Sequence, residues 1–195
     1  MTILLTGARG NLGRVLLPML RGEGHVVIPC DRNDEMGTGV SWDLDIHAAP
    51  VGQVDEVDCV IHAAARIGGF GMSASDGNLL AHTNVMGAWK VAEWCTAANV
   101  AHLIQVSSAI VYGQWDQCPK KETDPVDPWS AGLYAATKYL AEIAAERYAR
   151  AGGRLSILRL GSMYGEDMRT GLPYTLLRKA ITDGSMFELF GSTIT

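Results

Sequence analysis

An apolar run at residues 2–5 (Thr-Ile-Leu-Leu) leads straight into Thr6-Gly7-Ala8-Arg9-Gly10-Asn11-Leu12-Gly13, and the periodic apolar positions Val15, Leu16, Met19 and Leu20 follow. That order predicts a buried strand, a glycine-rich turn and a helix. Gly7 permits a tight turn, Gly10 lets backbone come close to a pyrophosphate, and Gly13 lets helix and strand pack together. The N–H groups and positive end of the helix then face the phosphates. Glycines three apart make this a variant of the G-x-G-x-x-G pattern. Pro18 lacks the N–H for the helical ladder and predicts a kink.

Gly24-His-Val-Val-Ile-Pro-Cys-Asp31 reads as a second strand ending in an acid about twenty residues beyond the glycines. A carboxylate there grips the adenine ribose hydroxyls and repels a 2′-phosphate; alternatively Asp31 only opens a polar loop. Arg9 and Arg32 keep the cofactor open, since either guanidinium could accept a 2′-phosphate. NAD is the expectation, with NADP as the alternative.

Strand and helix patterns alternate along the chain. Strands are predicted near 2–6, 25–30, 39–42, 58–63, 102–107 and 154–160, and helices near 11–22, 78–98, 134–150 and 172–183. This is the pattern of an α/β doubly wound parallel sheet with helices on both faces. Ligands in such sheets bind beyond the carboxyl ends of the strands. Gly7, Asp31, Ala63 to Ala65, Ser107-Ser108 and Gly161 all fall at those ends.

Tyr134-Ala-Ala-Thr-Lys138 supplies the chemistry. Residues four apart share a helix face, so the Lys138 ammonium can sit beside the Tyr134 phenol. A neighbouring positive charge is expected to lower the phenol pKa and make it a proton acceptor. Ser108 could orient a substrate alcohol for that base.

Composition sets limits. At 195 residues, 48% hydrophobic and 19% charged, the chain suits one soluble α/β domain with a real core. A net charge of −5 without a basic stripe argues against nucleic acid. Cys30, Cys59, Cys95 and Cys118 have no metal or disulfide spacing, so reduced cytosolic thiols are expected, and no metal site. No apolar run reaches membrane length, and a strand starting at residue 2 leaves no room for a signal peptide. A cytoplasmic protein without membrane partners is the expectation.

Matching motifs in order from residue 2 to about 165 make the chain resemble the extended short-chain dehydrogenase/reductase family, in its nucleotide-sugar epimerase/dehydratase branch. Thr6-Gly7-x-x-Gly10-Asn11-Leu12-Gly13 is similar to the family's cofactor turn. Trp42-Asp43-Leu44 resembles its Asp-Leu signature, whose acid contacts adenine. Ile61-His62-Ala63-Ala64-Ala65 is similar to the strand passing the nicotinamide ribose, and Asn84-Val85-x-Gly87 to a helix motif with a structural or proton-relay asparagine. Ser107-Ser108-x-x-Val111-Tyr112-Gly113 and Tyr134-x-x-x-Lys138 resemble the catalytic serine segment and tyrosine–lysine pair. Leu158-Arg159-x-x-x-Tyr164-Gly165 resembles the strand leading to the sugar-nucleotide site.

The resemblance implies a Rossmann-like NAD(P)-binding domain over 1–165 and the start of a truncated substrate-binding region over 166–195. It implies that Tyr134 takes a proton from a sugar hydroxyl as hydride moves to the cofactor, that Lys138 binds the nicotinamide ribose and that Ser108 positions the hydroxyl. Gly69, within Gly68-Gly-Phe-Gly-Met72, resembles a substrate loop or is only a flexible loop. Ser162 stands where the family often has a sugar-contacting Asn, and Leu133 where it usually has Pro. Arg159 either anchors a strand end or binds phosphate. The Ala-rich 134–150 helix is expected to pair in a homodimer. A non-catalytic dinucleotide-binding module and an NADP-dependent reductase of a non-sugar carbonyl are the alternatives.

Overall fold

The computed structural model describes residues 1–38, 40–68, 74–113, 119–165 and 172–182. Five strands, β1 (Thr2–Thr6), β2 (Val26–Cys30), β3 (Cys59–His62), β4 (His102–Ser108) and β5 (Arg154–Leu160), form one parallel sheet in the order β2-β1-β3-β4-β5. The chain leaves β1 to one side for β2 and returns on its other side for β3. The order therefore reverses between β1 and β3, and the crevice beyond their carboxyl ends is where such sheets bind ligands.

Helices cover both faces, so the strands are apolar on both sides. On one face Leu16, Leu17 and Leu20 of α1 (Asn11–Gly22) pack onto a core of Ile3, Leu5, Val27 and Ile61. α1 runs through Pro18 as one helix. On the other face Val91, Ala92 and Cys95 of α3 (Gly87–Ala97) and Ala145 and Tyr148 of α4 (Leu133–Arg150) close over Leu4, Val60 and Leu103. Ala88, Ala141 and Ala144 keep α3 and α4 close, because none projects beyond a methyl group. Cys30, Cys59 and Cys95 are buried free thiols, and Cys118 lies outside the described residues.

Two expectations need correction. No strand forms over the described residues 40–42: Ser41 makes an isolated antiparallel bridge to Val51. The reason is Trp42, whose N–H donates to the Asp31 carbonyl (2.7 Å) and whose indole meets Trp94 edge-on at 5.6 Å. Val40, Trp42 and Leu44 thereby plug the core as a loop instead of extending the sheet. The single helix expected over 78–98 is three pieces. These are α2 (Ala74–Ala81), a π-helical turn at His82–Met86, and α3.

Contacts divide the chain after Gly161. In the second unit the described regular element is α5 (Leu172–Thr182). No described helix is long and apolar enough to cross a membrane.

A β-carbon on Gly13 would lie 2.2 Å from the Gly7 carbonyl oxygen and 2.6 Å from the Ala8 Cα, both backbone atoms that cannot swing aside. Gly13→Ala is expected to destabilise the chain by about 1–3 kcal/mol, read as a lower urea midpoint at unchanged slope.

Candidate active site

Backbone contacts set the turn after β1. Gly7 has φ +70°, and a β-carbon there would meet Ala64 Cα and N at 2.7 Å. Gly10 N–H donates to the Gly7 carbonyl (2.9 Å). The turn therefore presses directly on the segment leaving β3. α1 starts at Gly10 with no side-chain cap and no acid in its first turn, so its positive end is open to an anion.

A cleft of about 370 Å³ opens at this switch point. Its walls bring together Gly7, Arg9, Gly10, Asp31, Arg32, Asp43, Leu44, Ala63, Ala64 and Ala65 from the sequence-predicted set. Asn11, Leu12 and Gly13 lie just behind the turn in α1, and Asn84, Ser108, Tyr134 and Lys138 are not among the lining residues. Gly69 lies outside the described residues, and Ser162 belongs to the second unit.

Asp31 is oriented by the chain itself: its carboxylate accepts the Arg9 N–H (3.1 Å) and the Arg32 N–H (2.9 Å). The Arg9 guanidinium is engaged elsewhere, paired with Glu35 and donating to Asn33 Oδ1 (3.3 Å). Asp43 Oδ1 accepts the Asp45 N–H (3.0 Å), and the Leu44 carbonyl accepts Lys90 Nζ (2.7 Å), which fixes this loop against α3.

Sequence reasoning missed part of the wall: Thr6, Arg14, Trp42, Asp45, Arg66 and Thr83 also line the cleft. Asp45 accepts Thr83 Oγ1 (2.6 Å) and the Arg66 guanidinium (3.0 Å), and Arg66 Nε donates to Thr83 Oγ1 (2.8 Å). Burial raises the Asp45 carboxyl, but hydrogen bonds from Thr83, Arg66 and His82 outweigh it and hold the group below its ordinary value. These partners stand some 20 to 40 residues apart in sequence, and no local spacing announces them.

Asn84 sits in the π-helical turn, where an extra residue per turn often marks functional segments. Its amide is wholly occupied: Oδ1 accepts the Arg66 N–H (2.8 Å), and Nδ2 donates to the Arg66 carbonyl (3.1 Å) and to Thr137 Oγ1 (3.1 Å). Thr137 in turn donates to the Tyr134 carbonyl (2.8 Å). Asn84 thus ties the cleft wall to the first turn of α4.

Lys138 is 4% exposed and donates to the Val106 carbonyl near the end of β4 (2.8 Å). Burial pulls its pKa down to about 8, against an opposing push from Glu142. Tyr134, one turn earlier, is half-buried, and burial raises its pKa. The expected lowering of Tyr134 by Lys138 is therefore not found. Desolvation, invisible in a spacing rule, decides the direction. Ser108 Oγ accepts the Ile110 N–H (3.4 Å), capping the short 3₁₀ turn Ala109–Tyr112. Arg159 is a strand-end anchor: its Nη2 meets Glu142 at 2.8 Å and its Nη1 meets the Tyr112 hydroxyl at 2.9 Å. Among the described residues no cluster of His, Cys, Asp and Glu has the geometry to hold a metal.

The sequence profile of the NAD dependent epimerase/dehydratase family matches residues 3–192. GDP-mannose 3,5-epimerase 1 of Oryza sativa subsp. indica is 27% identical over 209 residues, covering 97% of this chain and 55% of that protein. The probable UDP-glucuronate 4-epimerase of Rhizobium meliloti (strain 1021) is 26% identical over 212 residues, covering 98% and 62%. Among solved structures, a UDP-galactose 4-epimerase superposes with a TM-score of 0.79 at 26% identity, across 97% of this chain and 65% of that one. MoeE5 in complex with UDP-glucose and NAD gives 0.78 at 28%, across 98% and 64%. The chain thus spans 55% to 65% of the length of these four proteins.

His62, fully buried, shares a 2.7 Å hydrogen bond with Thr6 Oγ1, and burial followed by repulsion from Lys138 depresses its pKa to about 3. The folded chain therefore binds the His62 proton less readily than the unfolded chain, whose histidine titrates near 6.5. The resulting stability is complete above about pH 6.5 and is lost as pH falls toward 3. Urea unfolding at stepped pH should show a steeper acid loss for the native sequence than for His62→Asn.

Proposed function

The chain belongs to the NAD dependent epimerase/dehydratase family, and from that premise we propose that it forms the cofactor-binding and proton-transfer part of an enzyme acting on a hydroxyl of a nucleotide sugar. The observation that carries this reading is the placing of two features at the carboxyl end of one sheet: the glycine turn Gly7–Gly13 after β1 and the buried Lys138 held near the end of β4.

NAD suits the cleft on the structure's own terms. Gly7 and Gly13 let the turn sit tight against Ala63, Ala64 and Ala8, the N-cap of α1 is Gly10 without a side-chain cap, and Asp31 offers an oriented carboxylate beside it. In this reading Gly7, Arg9, Gly10, Asn11, Leu12 and Gly13 hold the pyrophosphate. Asp31 and Arg32 take the adenine ribose, Asp43 and Leu44 the adenine, and Ala63 to Ala65 with Asn84 the nicotinamide side. The pairing of Arg9 with Glu35 favours NAD over a 2′-phosphorylated cofactor. When bound, NAD supplies the hydride acceptor and donor.

The protein supplies geometry and the proton path. Ser108 orients the sugar hydroxyl, Tyr134 receives its proton on the phenolic oxygen, and Lys138 holds the nicotinamide ribose and favours the phenolate. Burial raises the Tyr134 pKa, so the positive charge that favours its phenolate has to offset that desolvation. Gly69 and Ser162 are assigned to the sugar-nucleotide side. Residues 1–165 form the NAD-binding domain and 166–195 the beginning of the substrate region.

A homodimer through α3 and α4 fits the apolar residues left exposed there: Trp89 (39%), Leu140 (40%) and Ile143 (46%). With this assembly goes a cytoplasmic setting for the reduced thiols.

The decisive experiment incubates the full-length protein with NAD and a panel of UDP-, GDP- and dTDP-sugars. Turnover of at least one is expected, with Tyr134→Phe lowering kcat by about 10²–10⁴-fold while NAD affinity changes little. Absence of turnover, with Tyr134→Phe indistinguishable from the native protein, would refute the assignment.

A further inference from the structure

The Ser108 side chain is lightly held. Its Oγ accepts the Ile110 N–H at 3.4 Å, a long hydrogen bond, where β4 ends and the chain turns into the 3₁₀ segment Ala109–Tyr112. The grip on this stretch comes from its two flanks. On the strand side the buried Ser107 hydroxyl donates to Glu142 Oε1 of α4. On the turn side the Tyr112 hydroxyl accepts Arg159 Nη1 of β5 at 2.9 Å, and the guanidinium stacks 4.9 Å over the Tyr112 ring. Glu142 and Arg159 are themselves joined, Nε to Oε1 at 3.1 Å and Nη2 to Oε2 at 2.8 Å, and Arg159 also reaches the Glu122 carbonyl at 3.3 Å. One ion pair therefore clasps the chain on both sides of Ser108.

The same clasp holds the helix that packs on this stretch. Tyr134, Lys138 and Glu142 follow one another at single-turn intervals along α4 and so share one face. Lys138 Nζ donates to the Val106 carbonyl at 2.8 Å, and Glu142 accepts the hydroxyl of the next residue, Ser107. Two successive rungs thus tie α4 to the end of β4, and Tyr134 stands one turn before them in the same row. Stability alone does not account for the ion pair. Glu142 is 2% exposed, and replacing a buried ion pair by apolar side chains of similar volume is often neutral or stabilising. What the ion pair adds is direction, because a guanidinium fork meets a carboxylate at a fixed distance and angle.

We propose that Glu142 and Arg159 are positioning residues, whose ion pair sets the place of Ser108 relative to Tyr134 by holding Ser107 to α4 and Tyr112 to β5. The inference rests on the reading of Ser108 and Tyr134 as working residues of the site. Consecutive Cα atoms keep a fixed separation of about 3.8 Å, so a shift at Ser107 passes directly to Ser108. The long Ile110 contact offers little resistance to it. A misplacement of about 1 Å at a reacting group costs on the order of 10²-fold in rate. Neither member of the ion pair is assigned a contact with substrate or cofactor. Their work is to guard a distance between two elements that come from different parts of the chain.

The test is steady-state kinetics of the full-length protein on a nucleotide sugar that it converts, with NAD affinity and the urea midpoint measured in parallel. Glu142→Leu/Arg159→Met removes both charges at similar volume. It should leave NAD affinity and the urea midpoint close to native while kcat falls about 10- to 100-fold. The discriminating comparison is Ser108→Ala made in both backgrounds. With the clasp intact it should lower kcat by a large factor; with the clasp gone it should cost several-fold less, because the hydroxyl it removes is already out of place. A purely structural role predicts the same cost in both backgrounds. That equality, or an unchanged kcat in the double variant, would overturn the proposal. Should the double variant fail to fold, Ser107→Ala leaves the ion pair whole and carries the same comparison. A lowered kcat with a reduced Ser108→Ala cost then supports the proposal, and a native kcat or an undiminished cost refutes it. Absence of any turnover, or a native enzyme indifferent to Ser108→Ala, would instead overturn the reading of the site on which the proposal rests, and the proposal with it.

Discussion

Contact of backbone with backbone at the head of β1 is the constraint on which the rest of the structure depends. Gly7 lies where any side chain would strike Ala63 and Ala64, and Gly13 where one would strike Gly7 and Ala8. Only because both side chains are missing can α1 approach β1 so closely and leave the crevice between β1 and β3 open. The parallel register then carries Thr6, His62 and Ser108 to the same end of the sheet without further instruction. Removing either close approach would move the wall of the cleft before it touched any chemistry.

Behind that crevice runs a seam of buried polar groups on the α3 and α4 side. Thr6 meets His62, Asn84 meets Thr137, Lys138 meets the Val106 carbonyl, and Glu142 meets Ser107 and Arg159. Satisfied networks of this sort rigidify a core, and half-satisfied ones are costly. The seam explains why the interior tolerates a lysine, a glutamate and a histidine within one layer. Burial first, and then repulsion from Lys138, keeps the His62 ring neutral.

What the sequence made legible follows how local each cause is. The strand–glycine–helix order, the carboxylate of Asp31 at the end of β2 and the α4 face bearing Tyr134 and Lys138 are written in neighbouring residues, and the structure has these elements where the patterns put them. The 39–42 segment misled because Val40 and Trp42 alternate like a strand but are apolar for a different reason: they fill a gap beside Trp94. The Tyr134 phenol misled because proximity to Lys138 is readable and desolvation is not. Asp45, Arg66 and Thr83 meet only through the tertiary fold, as do Glu142 and Arg159, so no spacing could announce them. Arg9 is an intermediate case, since its partner Glu35 lies only one strand away and the polar loop that holds both was visible.

The bare start of α1 has a thermodynamic meaning beyond recognition. A helix usually completes its first turn with a side chain of its own, and this one has none. Whatever anion settles there is, in effect, the missing cap of the helix. Anything that binds there in the folded chain, and not in the unfolded one, stabilises the fold. A dinucleotide held at that turn would add to the chain's stability by an amount that grows with its concentration relative to its dissociation constant.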